Sequence, residues 1–320
     1  MHLKPVITIG SVYGMDYPKN QLEFEKLFAT EEMCQAFLWK LRHPDGYLCP
    51  NCGHKEYWPQ TRSRRTCKSC KYELSILKGT IFSASHLPLS VWFRACWWFT
   101  NQKQGVSALG LQKALGIGSY RTSWLVLHKL RRAMISPGRN LLSGEVEVDE
   151  IYIGGDDKPG AKYRSSKRLV LIAAEKSGKG IGRIRMTAIS STSSDALLRG
   201  VEQMVQAGCR IETDAWRGYL RLSDKGYIHD RTEMATTRPG KREADALPRV
   251  HRVASLFKRW VLGTYQGSID SKHLQQYLDE FVFRFNRRTS GSRGLLFLRL
   301  LENAISVKSS TYQDITRKHQ

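Results

Sequence analysis

A row of acids on one face of a predicted strand constrains this chain more than any other stretch. Residues 144–155 read Gly-Glu-Val-Glu-Val-Asp-Glu-Ile-Tyr-Ile-Gly-Gly, with Val146 and Val148 on one face and Glu145, Glu147 and Asp149 on the other. Period-2 alternation closed by Gly154-Gly155 predicts a strand. Acids are depleted in strands and repel one another, so this face needs either solvent along an exposed edge or a divalent cation. A second acid ending a later strand favours the cation, and residues 209–214, Cys-Arg-Ile-Glu-Thr-Asp, supply it. Asp214 stands where open α/β sheets place their sites, although an Asp there also caps a following turn. Between the two acids lie strand patterns at 168–175 and 182–189, joined by a Gly-rich turn, and a helical pattern at 194–207. Residues 227–230 offer a fifth strand.

The chain has 320 residues, room for two or three cores, and 51 Lys+Arg against 29 Asp+Glu give a formal charge of +22. Such an excess is the electrostatic footprint of a protein that meets a polyanion, most simply nucleic acid. The most apolar run, 91–99, contains Arg94 and is far too short to span a bilayer, and residues 1–10 lack the apolar core of a signal peptide. The reading is a cytoplasmic protein with no membrane partner.

Seven cysteines include two CxxC pairs, Cys49/Cys52 and Cys67/Cys70, separated by fourteen residues. Two such knuckles complete a tetrahedral S₄ shell, which predicts one structural Zn²⁺ and a short hairpin between them. Arg62, Arg64 and Arg65, with Lys68 and Lys71, decorate this module and are candidate phosphate contacts. Residues 87–102 predict an aromatic core helix. Residues 107–125 then fit helix–turn–helix: Leu109, Leu111 and Leu115 pack the first helix, Gly116-Ile-Gly118 makes the turn, and Ser119 caps a second helix over 120–134. That helix is expected to present Tyr120, Arg121 and Lys129 outward to DNA.

Residues 248–262 predict a helix whose buried stripe is Val250, Ala254, Phe257 and Val261. His251 and Lys258 are seven residues apart, so they lie within ~20° of one another beside that stripe. A metal ligand with a cation two turns along suits phosphate chemistry, and Arg259 adds a further DNA contact.

Five segments together carry a family resemblance: Asp45-Gly-Tyr-Leu-Cys-Pro-Asn-Cys-Gly53, Lys78-Gly-Thr-Ile-Phe82, Glu147-Val-Asp-Glu-Ile-Tyr-Ile-Gly-Gly155, Lys258-Arg-Trp-Val-Leu-Gly-Thr264 and Tyr277-Leu-Asp-Glu-Phe-Val-Phe-Arg-Phe-Asn-Arg287. Over nearly its whole length the chain resembles bacterial insertion-sequence transposases of the zinc-ribbon, ISXO-like type. The β-β-β-α-β order, with acids on the first and fourth strands, is likewise similar to the ribonuclease H-like fold of DDE transposases. The resemblance implies a multidomain α+β chain: N-terminal helices at 1–45, a zinc ribbon at 46–85, a helix-turn-helix region at 86–140, a ribonuclease H-like catalytic domain with a mixed sheet at 141–292 and a C-terminal tail at 293–320. It implies metal-dependent cleavage at the ends of a mobile element and strand transfer into target DNA, with a homo-oligomer assembled on the terminal inverted repeats.

By position, Asp149 and Asp214 match the first two catalytic acids, and Lys258 the lysine that follows the third ligand. At the third place many relatives carry Glu or Asn, whereas this chain has His251. Asp149, Asp214 and His251 are thus the expected ligands of catalytic Mg²⁺ or Mn²⁺, with Glu280 as fallback for the third. Imidazole is a poorer Mg²⁺ ligand than carboxylate. Two rivals stand: a ribonuclease H-like nuclease or resolvase, and a zinc-ribbon DNA-binding regulator with a degenerate catalytic domain.

Overall fold

The computed structural model describes residues 16–60, 63–135, 139–154, 167–232, 247–267 and 269–316. Arg62 lies outside the described residues.

Two helices open the chain, α1 (Gln21–Leu27) and α2 (Glu31–Arg42), capped by the side chains of Asn20 and Thr30. A three-stranded antiparallel sheet follows: β1 (Tyr57–Gln60), β2 (Arg64–Cys67) and β3 (Glu73–Ser75). Then come α3 (Leu89–Asn101), α4 (Ala108–Leu115) and α5 (Tyr120–Ala133). Pro88 cannot cap α3 with its own side chain, so Glu31 reaches across from α2 and accepts from the amides of Leu89 and Ser90, both at 2.8 Å. The turn between α4 and α5 closes as its residues dictate. Gly116 takes φ 64° at the end of α4, and Ser119 accepts from the Thr122 amide to begin α5.

The larger sheet holds β4 (Glu145–Ile153), β5 (Arg168–Ser177), β6 (Gly180–Ile189), β7 (Arg210–Asp214) and β8 (Ile228–Thr232), in the order β6-β5-β4-β7-β8. Strands β5 and β6 run past the expected turn and leave only Gly178-Lys179 between them, with Gly178 at φ 53°. Helix α6 (Ser194–Glu202) and a 3₁₀ segment (Arg217–Lys225) cover one face of the sheet, packing on Val146, Val148, Leu171, Ala173 and Ile211. The opposite face carries α7 (Pro248–Tyr265) and α8 (Leu274–Asn286) over Ile153, Val170, Ile172, Ile184 and Met186. Strand β4 is central, antiparallel to β5 and parallel to β7, so the first and fourth strands are neighbours.

One expectation needs correction. Residues 293–316 are not a simple tail. Helix α9 (Arg293–Ser306) buries Phe297, Leu298, Leu300, Leu301 and Ala304 in the aromatic core of α1–α5, and α10 (Tyr312–Thr316) buries Ile315. In α1, Leu22 and Leu27 are exposed, because Phe24 and Phe28, one helical turn apart, carry its inward face. Among the described residues no helix is long and apolar enough to cross a membrane.

Candidate metal centres and active site

The four ribbon cysteines converge. Their Sγ atoms all lie within 4.8 Å of one another, with Cys49–Cys70 and Cys52–Cys67 each at 3.6 Å. A tetrahedral Zn–S₄ site with bonds of about 2.3 Å has sulfur–sulfur edges of about 3.8 Å, so the set fits zinc. The two knuckles are built alike: the amide of Gly53 donates to Cys49 O and that of Lys71 to Cys67 O, with both residues at positive φ. Burial pushes the Cys49 thiol up, but donation from the amides of Asn51 and Cys52 outweighs it and brings it down to about 6.

The ribbon's cations are largely engaged in its own surface. Arg64 pairs with Glu73 at 3.0 Å, Lys68 with Glu56 at 3.2 Å, and Arg65 lies over the rings of Trp39 and Tyr57. On α5, Tyr120 is exposed and Arg121 stacks 3.7 Å from the Tyr312 ring centroid. Lys129 overturns its expectation. It is 1% exposed, and its Nζ donates to Ile81 O at 3.1 Å, Ser83 O at 2.9 Å and Ser309 Oγ. The amphipathic reading assumed one solvated face, yet from Val126 onward α5 is packed by α4, α8 and α9. Burial lowers the Lys129 ammonium to about 8.

At the carboxyl end of the central strand the structure gathers Asp149, Glu150, Asp214 and His251. The β4–β7 ladder pairs Glu147 with Glu212, so Asp149 and Asp214 each stand two residues further on, at the same edge of neighbouring strands. His251 comes from α7, whose stripe of Val250, Ala254, Phe257 and Val261 is buried as the periodicity requires. Its Nε2 lies 3.3 Å from Asp149 Oδ2. Burial pushes the Asp149 carboxyl up to about 6, and the charges of Glu150 and Asp214 add to that while His251 opposes it. Asp214 Oδ1 accepts from the Trp216 amide at 3.0 Å, so it turns the chain as well as facing the site.

Glu150 is the member that sequence reasoning passed over. Burial and the Asp214 charge raise its carboxyl, against a hydrogen bond donated by the Tyr219 hydroxyl. Its position directly after Asp149 was the available signal. Lys258 and Arg259 are exposed further along α7. Three carboxylates and an imidazole at one sheet edge are donors a divalent cation accepts, and the Asp149 carboxyl, raised first by burial and then by the charges of Glu150 and Asp214, is one that a cation would bring back down. Among the described residues, however, only the cysteines bring three or more ligand atoms within 4.8 Å of one another.

Glu280, the fallback ligand, belongs elsewhere. Its fully buried carboxylate accepts from Arg131 Nε at 2.8 Å and Arg284 Nε at 2.9 Å, with the Tyr265 hydroxyl at 3.2 Å. It neutralises two guanidiniums between α5 and α8.

Two family models match stretches of this chain. Residues 141–286 match the family model of the ISXO2-like transposase domain, and residues 29–73 that of the transposase zinc-ribbon domain. An uncharacterised protein in transposable element ISH50 of Halobacterium salinarum is 25% identical over 219 residues, spanning 62% of this chain and 72% of that protein. A chain of the simian T-cell lymphotropic virus intasome, solved in complex with PP2A regulatory subunit B56 gamma, matches at 11% identity and a TM-score of 0.31, over 65% of this chain and 71% of that one. A similarity that slight carries no argument.

Proposed function

We propose, for a chain that belongs through both of these domains to the IS1595-type, ISXO2-like transposases, that it binds the ends of an insertion sequence, cuts them and joins them to target DNA. The observation that supports this reading is the meeting of Asp149 and His251 at 3.3 Å beside Asp214, at the carboxyl end of the central strand.

In this reading Asp149, Asp214 and His251 hold the catalytic Mg²⁺ or Mn²⁺. When bound, divalent ions make the attacking hydroxyl more acidic and stabilise the leaving oxygen. The residues themselves do the rest. The carboxylates orient the cations, and Glu150, tied to Tyr219, keeps further negative charge beside them. Lys258 and Arg259, exposed along α7, meet the phosphates that flank the scissile bond. Water attacks phosphorus and the bond to the element's 3′ oxygen breaks; that 3′ hydroxyl then attacks a target phosphodiester, exchanging one bond for another. The net charge of +22 favours the long DNA track this needs.

The test is purified protein with a supercoiled plasmid carrying the element's ends, in Mg²⁺ or Mn²⁺. Nicked and joined products are expected, both lost in Asp149→Asn and Asp214→Asn. Nicking without joining indicates a nuclease, and end binding without nicking a regulator.

A further inference from the structure

We propose that Glu147 is a positioning residue, whose buried carboxylate fixes the start of α7 so that His251 stands on Asp149. This rests on the reading of His251 as a catalytic ligand.

Alternation along β4 places Glu147 on the face of Asp149, where a row of acids calls for solvent or a divalent cation. Instead Glu147 is 1% exposed. A carboxylate is tolerated there only if it is paired and hydrogen-bonded. Among the described residues its hydrogen-bond donors lie in the first turn of α7: the Arg249 amide at 2.7 Å, the Val250 amide at 3.1 Å and Arg249 Nη1 at 2.8 Å. That helix starts at Leu247-Pro248 with no side-chain cap of its own, so its first amides are open and its positive end suits an anion. Glu147 serves as the missing cap from another element.

Arg249 carries the link further. Its Nε donates to Gly180 O at 3.0 Å and its Nη2 to Gly178 O at 2.7 Å, in the turn between β5 and β6. One carboxylate and one guanidinium therefore rivet the central strand, the neighbouring hairpin and the incoming helix together. The rest of the contact between α7 and the sheet is apolar, through Val250, Val253, Ala254 and Phe257, and apolar packing alone is not directional.

The geometry then steps in register. Two residues beyond Glu147 on the strand is Asp149; two residues beyond Arg249 on the helix is His251; and these meet at 3.3 Å. The His251 side chain is 46% exposed and stands on the helix that Glu147 anchors. Where that helix begins therefore helps to set its approach to Asp149.

The test uses full-length protein without DNA and reads Mn²⁺ affinity by electron paramagnetic resonance, beside cleavage and urea unfolding. Glu147→Gln keeps size and the one oxygen that accepts from both amides, but removes the charge and the second oxygen that holds Arg249 Nη1. Metal affinity should fall about tenfold or more, as when a residue orienting a ligand is lost. In the double variant Glu147→Gln/His251→Ala, affinity should match that of His251→Ala alone, because Glu147 acts through His251. Wild-type Mn²⁺ affinity in Glu147→Gln, with His251→Ala weakened, overturns this inference alone. Additive losses in the double variant overturn it too, by assigning Glu147 a general structural role. Wild-type affinity in His251→Ala overturns the ligand reading and this inference with it. If Glu147→Gln does not fold, Arg249→Lys replaces it, because lysine lacks the fork that joins Glu147 to both turn carbonyls, and the same outcomes decide.

Discussion

Replacing Glu280 with Gln should destabilise the protein heavily and leave its chemistry in place. Glu280 is fully buried between α5 and α8, and its two oxygens serve Arg131 at 2.8 Å, Arg284 at 2.9 Å and the Tyr265 hydroxyl at 3.2 Å. Gln retains one acceptor but no charge, so Arg131, only 2% exposed at its side chain, keeps a positive charge with no anion beside it. Breaking one partner of a buried ion pair costs about 3–5 kcal/mol. Arg284 adds less, since it also donates to the carbonyls of Gln102 and Phe99. A chain of 320 residues takes a urea slope near the upper end of about 1–3 kcal/mol/M, so the unfolding midpoint should drop by on the order of 1–2 M. Circular dichroism follows the unfolding, and cleavage is measured on the same preparation below the transition. Cleavage per folded molecule should stay within a few-fold of wild type. Wild-type stability with abolished cleavage would refute the reasoning and return Glu280 to the active site.

Cys67→Ser should lose about one zinc per chain by metal analysis and expose the ribbon to protease, because the three remaining thiolates leave the S₄ shell open. Lys129→Met should leave the salt dependence of end binding unchanged, since its ammonium faces Ile81 O and Ser83 O; a shallower salt slope would show that it meets phosphate after all. Asp149→Asn should abolish cleavage yet raise the melting temperature at pH 8 without added divalent cation. The Asp149 carboxyl ionises near 3.8 when unfolded and near 6 when folded, so its contribution to stability is fully present below 3.8 and lost as pH rises through 6. That loss is on the order of 3 kcal/mol, and the advantage of the Asn variant should narrow as pH is lowered from 6 toward 4.

What could be read from the sequence was what depends on local period and spacing. The alternation of residues 145–149 announces β4, the CxxC pairs announce the ribbon, and the i, i+3, i+4 stripe from Val250 to Val261 orients α7 with His251 beside it. What escaped depends on partners distant in the chain. Lys129 looks like the wet side of a recognition helix, yet it finds its acceptors at Ile81, Ser83 and Ser309, and Arg131 on the same helix finds its anion at Glu280. Glu147 passes for a solvated acid until α7 arrives from a hundred residues away to bury it. The leucines of α9 are different: their helical spacing was on the page, but the polar residues beyond Glu302 drew the whole segment into a tail.

The central claim, that a divalent cation binds where Asp149, Asp214 and His251 meet, is tested most directly by anomalous scattering from crystals soaked in Mn²⁺ near pH 8. An anomalous peak within bonding distance of Asp149 and Asp214 carboxylate oxygens and a His251 nitrogen is the predicted result, absent from crystals of Asp149→Asn. A strong manganese peak elsewhere on the sheet, with this edge empty, would contradict it.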